Sequence, residues 1–235
     1  NNNFPKCKKK VFLINRGIDT NFFNMKKVTQ YRKESFLKNF SIDESKHIIL
    51  LPGRLSSWKG HNLAIETARI ISQDYPDLNF LMLFVGSEQT RKKYLESIRR
   101  KIKKYKLEQK IILTGQVSDM PAVYSLSDVV ISTSTEPEAF GRVSAEASAM
   151  TKPIISSNHG GSCNIIINNV TGWLVNVDDP LALAKKIVSV IEMPQSEKDH
   201  IGEKARERIT SYFGLKQMLN KTLDLYEEII SEEKK

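Results

Sequence analysis

Two stretches of this chain gather side chains suited to gripping an anion. The first reads Pro52-Gly53-Arg54-Leu55-Ser56-Ser57-Trp58-Lys59-Gly60. Arg54 offers a planar fork of donors and Lys59 a compact point charge, a pairing that suits a diphosphate. Gly53 and Gly60 permit backbone angles and close approaches that other residues resist. The spacing is not that of a P-loop, and no GxGxxG follows a strand. The second stretch runs from Glu136 through Pro137, Glu138, Ala139, Phe140, Gly141, Arg142 and Val143 to Glu146 and Ala147. Pro137 and Glu138 precede a helical pattern, Phe140–Met150, with Gly141 placed in its first turn. Free N–H groups at such a helix start attract negative charge. A third, weaker loop is Gly115-Gln116-Val117-Ser118-Asp119, where a glycine followed by an apolar residue suits packing against a flat base.

Glu138 and Glu146 are eight positions apart, about 12 Å of helical rise. A glycosidase pair needs about 5–9.5 Å, so hydrolysis by this pair is not expected. The separation instead suits gripping two ends of one elongated ligand. A nucleotide sugar carries hydroxyls at both ends and an anionic diphosphate between them. Each feature alone has a plainer reading: a polar connection for the first loop, an ordinary turn for the third, surface carboxylates for the glutamates. Their combination favours the ligand.

The elements that must position these residues alternate. Val11–Asn15, His47–Leu51, Asn79–Val85, Ile111–Thr114, Asp128–Thr133 and Pro153–Ser157 read as short strands, with Gly172–Val177 weaker. Helical patterns lie at Asn62–Ser72, Thr90–Tyr105, Met120–Leu126, Phe140–Met150 and Leu181–Ile191, then roughly Ser196–Phe213 and Leu215–Glu232. Most strands lack alternation, as expected where both faces are buried. The expectation is an α/β fold with a Rossmann-like, doubly wound parallel sheet. Ligands of such sheets bind beyond the carboxyl ends of the strands, where all three loops fall.

The chain has 235 residues, 40% hydrophobic and 27% charged, ordinary for a globular protein. No apolar run approaches the roughly 18 residues of a membrane span. No charged n-region followed by an apolar h-region is visible, so a cytoplasmic location is expected. Cys7 and Cys163 form no disulfide framework, and the four histidines match no metal spacing; no metal and no other cofactor is expected. Net charge is +9, and between Arg91 and Lys110 ten basic residues face only Glu96 and Glu108. This amphipathic segment reads first as a solvated face. Peripheral contact with an anionic inner membrane surface is a second reading. Nucleic acid is not expected, because no binding motif accompanies the charge.

Several of these stretches, in order, resemble the retaining glycosyltransferases of family 4, which have the GT-B fold. EPEAFGRVSAEASAM is similar to that family's E-x7-E signature and LPGRLSSWKGHNLAIETA to its donor loop. VFLINRGIDTNFF resembles the hinge that ends its first domain, and HGGSCNIIINNVTGWLVNVDDPLALAKKI its GG…TGWLV segment. The resemblance spans roughly residues 11–192. It implies the C-terminal, donor-binding half of a GT-B enzyme: residues 1–40 as hinge and end of a first domain, 41–213 as the donor domain, and 214–235 as a helix packing on the first domain.

Carried over, the catalytic set is Arg54 and Lys59 on the diphosphate and Glu138 on the transferred sugar. Glu146 would hold the ribose, Gln116 and Val117 would line the base pocket, Phe140, Gly141, Arg142 and Val143 would offer backbone groups, and Gly53 is counted with these donor-binding residues. The implied substrate is a UDP-sugar or GDP-sugar, and the reaction retaining hexosyl transfer to a glycan or lipid-linked acceptor of the cell envelope. The partner is the missing N-terminal domain, without which transfer is expected to be negligible. A sugar phosphorylase and a non-catalytic nucleotide-binding module remain as alternatives. Thr151 departs from the pattern where glycine is usual, and Asn164 where an acidic residue is common.

Overall fold

The computed structural model of the protein describes residues 11–233; Cys7 lies outside them. Strands β1 (His47–Pro52), β2 (Phe80–Val85), β3 (Ile111–Gly115), β4 (Val129–Ser132), β5 (Ile154–Ser157) and β6 (Trp173–Val175) form one sheet in the order β3-β2-β1-β4-β5-β6. Every neighbouring pair is parallel. The helices are α1 (Gln30–Asn39), α2 (His61–Asp74), α3 (Lys92–Lys104), α4 (Met120–Leu126), α5 (Arg142–Ala149), α6 (Ser162–Ile165), α7 (Pro180–Glu192), α8 (Gln195–Tyr212) and α9 (Leu215–Glu233).

The sheet is buried on both faces, which is why its strands read as continuous apolar runs. In β1, Ile49 and Leu51 join a core with Ile65 of α2, Ile98 of α3 and Ile187 of α7. Their alternates Ile48 and Leu50 join a second core with Phe36 of α1, Val123 of α4 and Ala145 of α5. The expectation of a doubly wound, Rossmann-like domain therefore holds. From β1 the chain moves outward through β2 to β3, then returns to lay β4 on the other side of β1. Connections leaving β1 and β4 diverge there and open a crevice at their carboxyl ends.

Three local expectations are corrected. Val11–Asn15 is not a strand. Val11 is 71% and Leu13 88% exposed, and no neighbouring strand among the described residues completes a ladder for them. The pairing begins at Ile18, bridged to Gly214. Second, α1 had no counterpart in the sequence reading; only Phe36 and Leu37 on it are buried, so its apolar period is faint. The four-residue α6 was likewise not read. Third, the helix expected from Phe140 starts at Arg142, with Gly141 as its N-cap at φ 83° rather than inside its first turn. Helix α9 leaves Leu219, Leu223, Tyr226 and Ile230 exposed.

Candidate functional site

The loops after β1 and β4 are stitched together before any side chain reaches the crevice. Gly60 caps α2 at φ 73°, and a Cβ there would lie 1.8 Å from the Thr133 carbonyl oxygen. Only glycine permits this approach. Thr133 Oγ1 donates to the Lys59 carbonyl at 3.0 Å, and the Thr135 amide donates to the Trp58 carbonyl at 2.8 Å.

On this frame Lys59 Nζ donates to Glu138 Oε1 at 2.7 Å, with the two side chains 13% and 12% exposed. Ser134 Oγ donates to the same oxygen at 2.5 Å. Lys59 Nζ also stands 4.4 Å from the Trp58 ring centroid, a cation–π contact. Glu138 lies in the loop ahead of α5, not on it, so the rise of about 12 Å between the glutamates does not apply.

What holds that loop is a pair of glycines. The Gly161 amide donates to the Glu138 carbonyl at 2.6 Å, and a Cβ on Gly161 would fall 2.2 Å from the Phe140 carbonyl carbon. Gly160, at φ 59°, faces the Glu138 backbone, where a Cβ would lie 2.7 Å from the amide nitrogen and the carbonyl oxygen. His159 Nε2 lies 2.7 Å from the Ser134 carbonyl oxygen. In the sequence this segment stands out only through its resemblance; its doubled glycine is the signal that another backbone passes close by.

These elements wall a cavity of about 600 Å³ lined by Arg16, Arg54, Trp58, Lys59, Glu138 and the run Phe140–Val143. Seven predicted residues thus share one cavity: Arg54, Lys59, Glu138, Phe140, Gly141, Arg142 and Val143. Gly141 provides no side-chain cap, so the first-turn N–H groups of α5 are free to bind an anion. Arg54, Arg142 and Arg16 are exposed, and none forms an ion pair among the described residues. Arg16 was missed. Its signal was a cation directly ahead of Gly17, in a segment read only as a hinge.

Four predicted residues do not line this cavity. Gly53 lies beneath the Lys59 stem; a Cβ there would sit 3.4 Å from Lys59 Cδ. Glu146 is half-buried, and its Oε2 accepts from the Tyr124 hydroxyl at 2.8 Å. Burial raises the Glu146 carboxyl above its ordinary range, while the Tyr124 bond and the charges of Arg142 and Lys59 pull it back. Gln116 and Val117 line a separate cavity of about 420 Å³ beside Tyr31 and Phe36 of α1. That loop is pinned to α1 by Asp119, whose oxygens accept from Arg32 at 2.7 and 2.5 Å. The Arg32 bond holds the Asp119 carboxyl below its usual range.

Among the described residues no group of three His, Cys, Asp or Glu side chains could hold a metal ion, and no helix is long and apolar enough to cross a membrane.

The model of the family described as "Glycosyl transferases group 1" matches residues 32–208. A glycosyltransferase from Rickettsia africae superposes with a TM-score of 0.88 at 34% identity, over 92% of this chain and 56% of that one. Spore coat protein SA of Bacillus subtilis is 26% identical across 96% of this chain and 60% of its own length. The Anabaena protein HepE, solved with UDP and glucose, shares the fold with a TM-score of 0.81 at 23% identity, over 91% of this chain and 56% of its own. The chain thus spans little more than half the length of the proteins it matches.

Proposed function

The chain belongs to the glycosyl transferases group 1 family, and on that premise we propose that it is the half of a glycosyltransferase that binds a nucleoside-diphosphate sugar. The observation that carries the proposal is the single cavity holding Arg54, Lys59, Glu138 and the free amides of α5. Arg54 and Lys59 take the diphosphate, supported by the helix N-terminus. Glu138 accepts hydrogen bonds from sugar hydroxyls through the oxygen that Lys59 and Ser134 leave open. Glu146, one helical turn into α5, takes the ribose, and the Gln116–Val117 loop lines the base side. The HepE structure with UDP and glucose is consistent with a ligand of this chemistry.

The chemistry is leaving-group stabilisation. As the glycosidic bond to the diphosphate lengthens, negative charge grows on the phosphate oxygens and the sugar gains oxocarbenium character. Cations and aligned N–H groups set around the phosphates favour that charge more than they favour the ground state. The transfer is retaining and the sugar a hexose, delivered to a glycan or lipid-linked acceptor held by a second domain.

Calorimetric titration of the chain with UDP, GDP and UDP-glucose tests this. Binding of at least one nucleoside diphosphate is expected, with Arg54→Ala weakening it about 10- to 100-fold through loss of a charge-assisted bond. Silence toward every nucleoside diphosphate overturns the proposal.

A further inference from the structure

The outward face of α3 belongs to no part of the site. Its inner side is fixed to the domain. Ile98 and Ile102 are buried, and Glu66 of α2 accepts from Lys101 Nζ at 3.0 Å and from the Tyr105 hydroxyl at 2.7 Å. On a wheel of 3.6 residues per turn, Lys92, Lys93, Arg99, Arg100, Lys103 and Lys104 fall within one arc about 140° wide. All six are exposed, and Glu96 is the one acid among them. None of the six forms an ion pair among the described residues.

Folding does not account for this face. Lys92 and Lys93 occupy the first turn, where the helix dipole disfavours cations. Arg99 and Lys103, and Arg100 and Lys104, are like charges four positions apart, which repel. Nor does the donor cavity account for it. β3 is an edge strand, α3 leads into it, and the cavity opens at β1 and β4.

The shape of the face selects its partner. It is a single convex stripe about 20 Å long. It carries no exposed aromatic on which bases could stack and no apolar residue that could insert among acyl chains. A flat, laterally extended anion suits it. We propose that α3 docks this chain on a bilayer rich in anionic lipid, lying along the headgroups and held by charge alone, with the cavity left open.

Co-sedimentation of the chain with vesicles tests this. Binding to phosphatidylglycerol–phosphatidylcholine vesicles is expected at about 0.1 M salt, with loss at high salt and none to phosphatidylcholine alone. Replacing Arg99, Arg100, Lys103 and Lys104 together with Gln should weaken partitioning at least tenfold (about fivefold per charge is the usual scale). UDP affinity should not change, showing that the fold is intact. Replacing Lys26, Lys27, Lys216 and Lys221 with Gln removes the same charge elsewhere and should leave most of the binding. Equal losses in the two variants, no binding to anionic vesicles, or tighter binding to a short duplex DNA at the same salt each overturn the proposal.

Discussion

Lys59 Nζ bonds Glu138 Oε1 at 2.7 Å, so the ammonium proposed for the diphosphate already has a carboxylate partner. The two loops that bear them come from strands far apart in sequence but adjacent in the sheet. In the proposed reading, the diphosphate and Glu138 compete for this one hydrogen-bond donor.

That competition predicts opposite signs for one substitution. Glu138→Gln frees Lys59, so UDP should bind about fivefold more tightly, the scale of one modest hydrogen-bond term. UDP-glucose should lose relative affinity, because an acceptor for its sugar hydroxyls is weakened. Calorimetry with both ligands decides it; parallel shifts would mean that Glu138 serves only to hold Lys59.

Arg16 brings a guanidinium to the cavity from outside the sheet. Arg16→Gln should weaken UDP about tenfold and UMP much less, since one charge-assisted contact to the second phosphate is lost. Equal effects on both nucleotides would place Arg16 away from the diphosphate.

Much of this was legible in the sequence because parallel strands and surface helices have distinct periods. Apart from α6, the strands and helices from β1 onward fall close to their expected bounds, and seven expected site residues meet in one cavity. What was not legible depends on contacts across the chain. Nothing local in Val11–Asn15 says that no neighbour will pair with it. Nothing local in Glu138 says that its backbone will pack against Gly160 and Gly161, some twenty residues further along the chain. Arg16 reaches the cavity because Ile18 is bridged to Gly214, a pairing between opposite ends of the sequence.

Thr151 adopts the left-handed conformation at φ 54°, which gives a physical reason for the glycine that the family resemblance led one to expect there. A β-branched residue is strained in that region. Thr151→Gly should raise stability by about 1 kcal/mol, offset in part by the greater freedom of glycine in the unfolded chain. The midpoint of urea unfolding should rise with an unchanged slope; a lower midpoint would show that Thr151 packing outweighs its strain.

Lys152 supplies a pH test of the fold. Burial pulls its ammonium down to about 8 from 10.5, with Asp128 opposing and Lys33 adding to the effect. Between those values the unfolded chain binds more protons than the folded one, so Lys152 makes stability rise with pH through that window. Lys152→Met should remove this rise and stabilise the protein at neutral pH by about 2 kcal/mol. Denaturation curves on both sides of the window check it, and an unaltered pH slope would contradict the assignment.

Glu146 couples stability to binding in the opposite sense. Burial raises its carboxyl, and the Tyr124 hydroxyl, itself fully buried, is the largest influence pulling it back. A carboxyl raised in the fold contributes stability that is complete below its unfolded value and is lost as pH rises through its folded value. Glu146→Gln should therefore raise Tm at neutral pH, yet weaken UDP if the carboxylate accepts the ribose hydroxyls. Tyr124→Phe removes the opposing bond and pushes the carboxyl further up. UDP affinity in that variant should begin to fall at a higher pH than in the parent protein, while affinity for inorganic diphosphate keeps its original profile. A purely structural role for Tyr124 would weaken both ligands alike at every pH, so the shift of one profile against the other separates positioning of Glu146 from general loosening of the core.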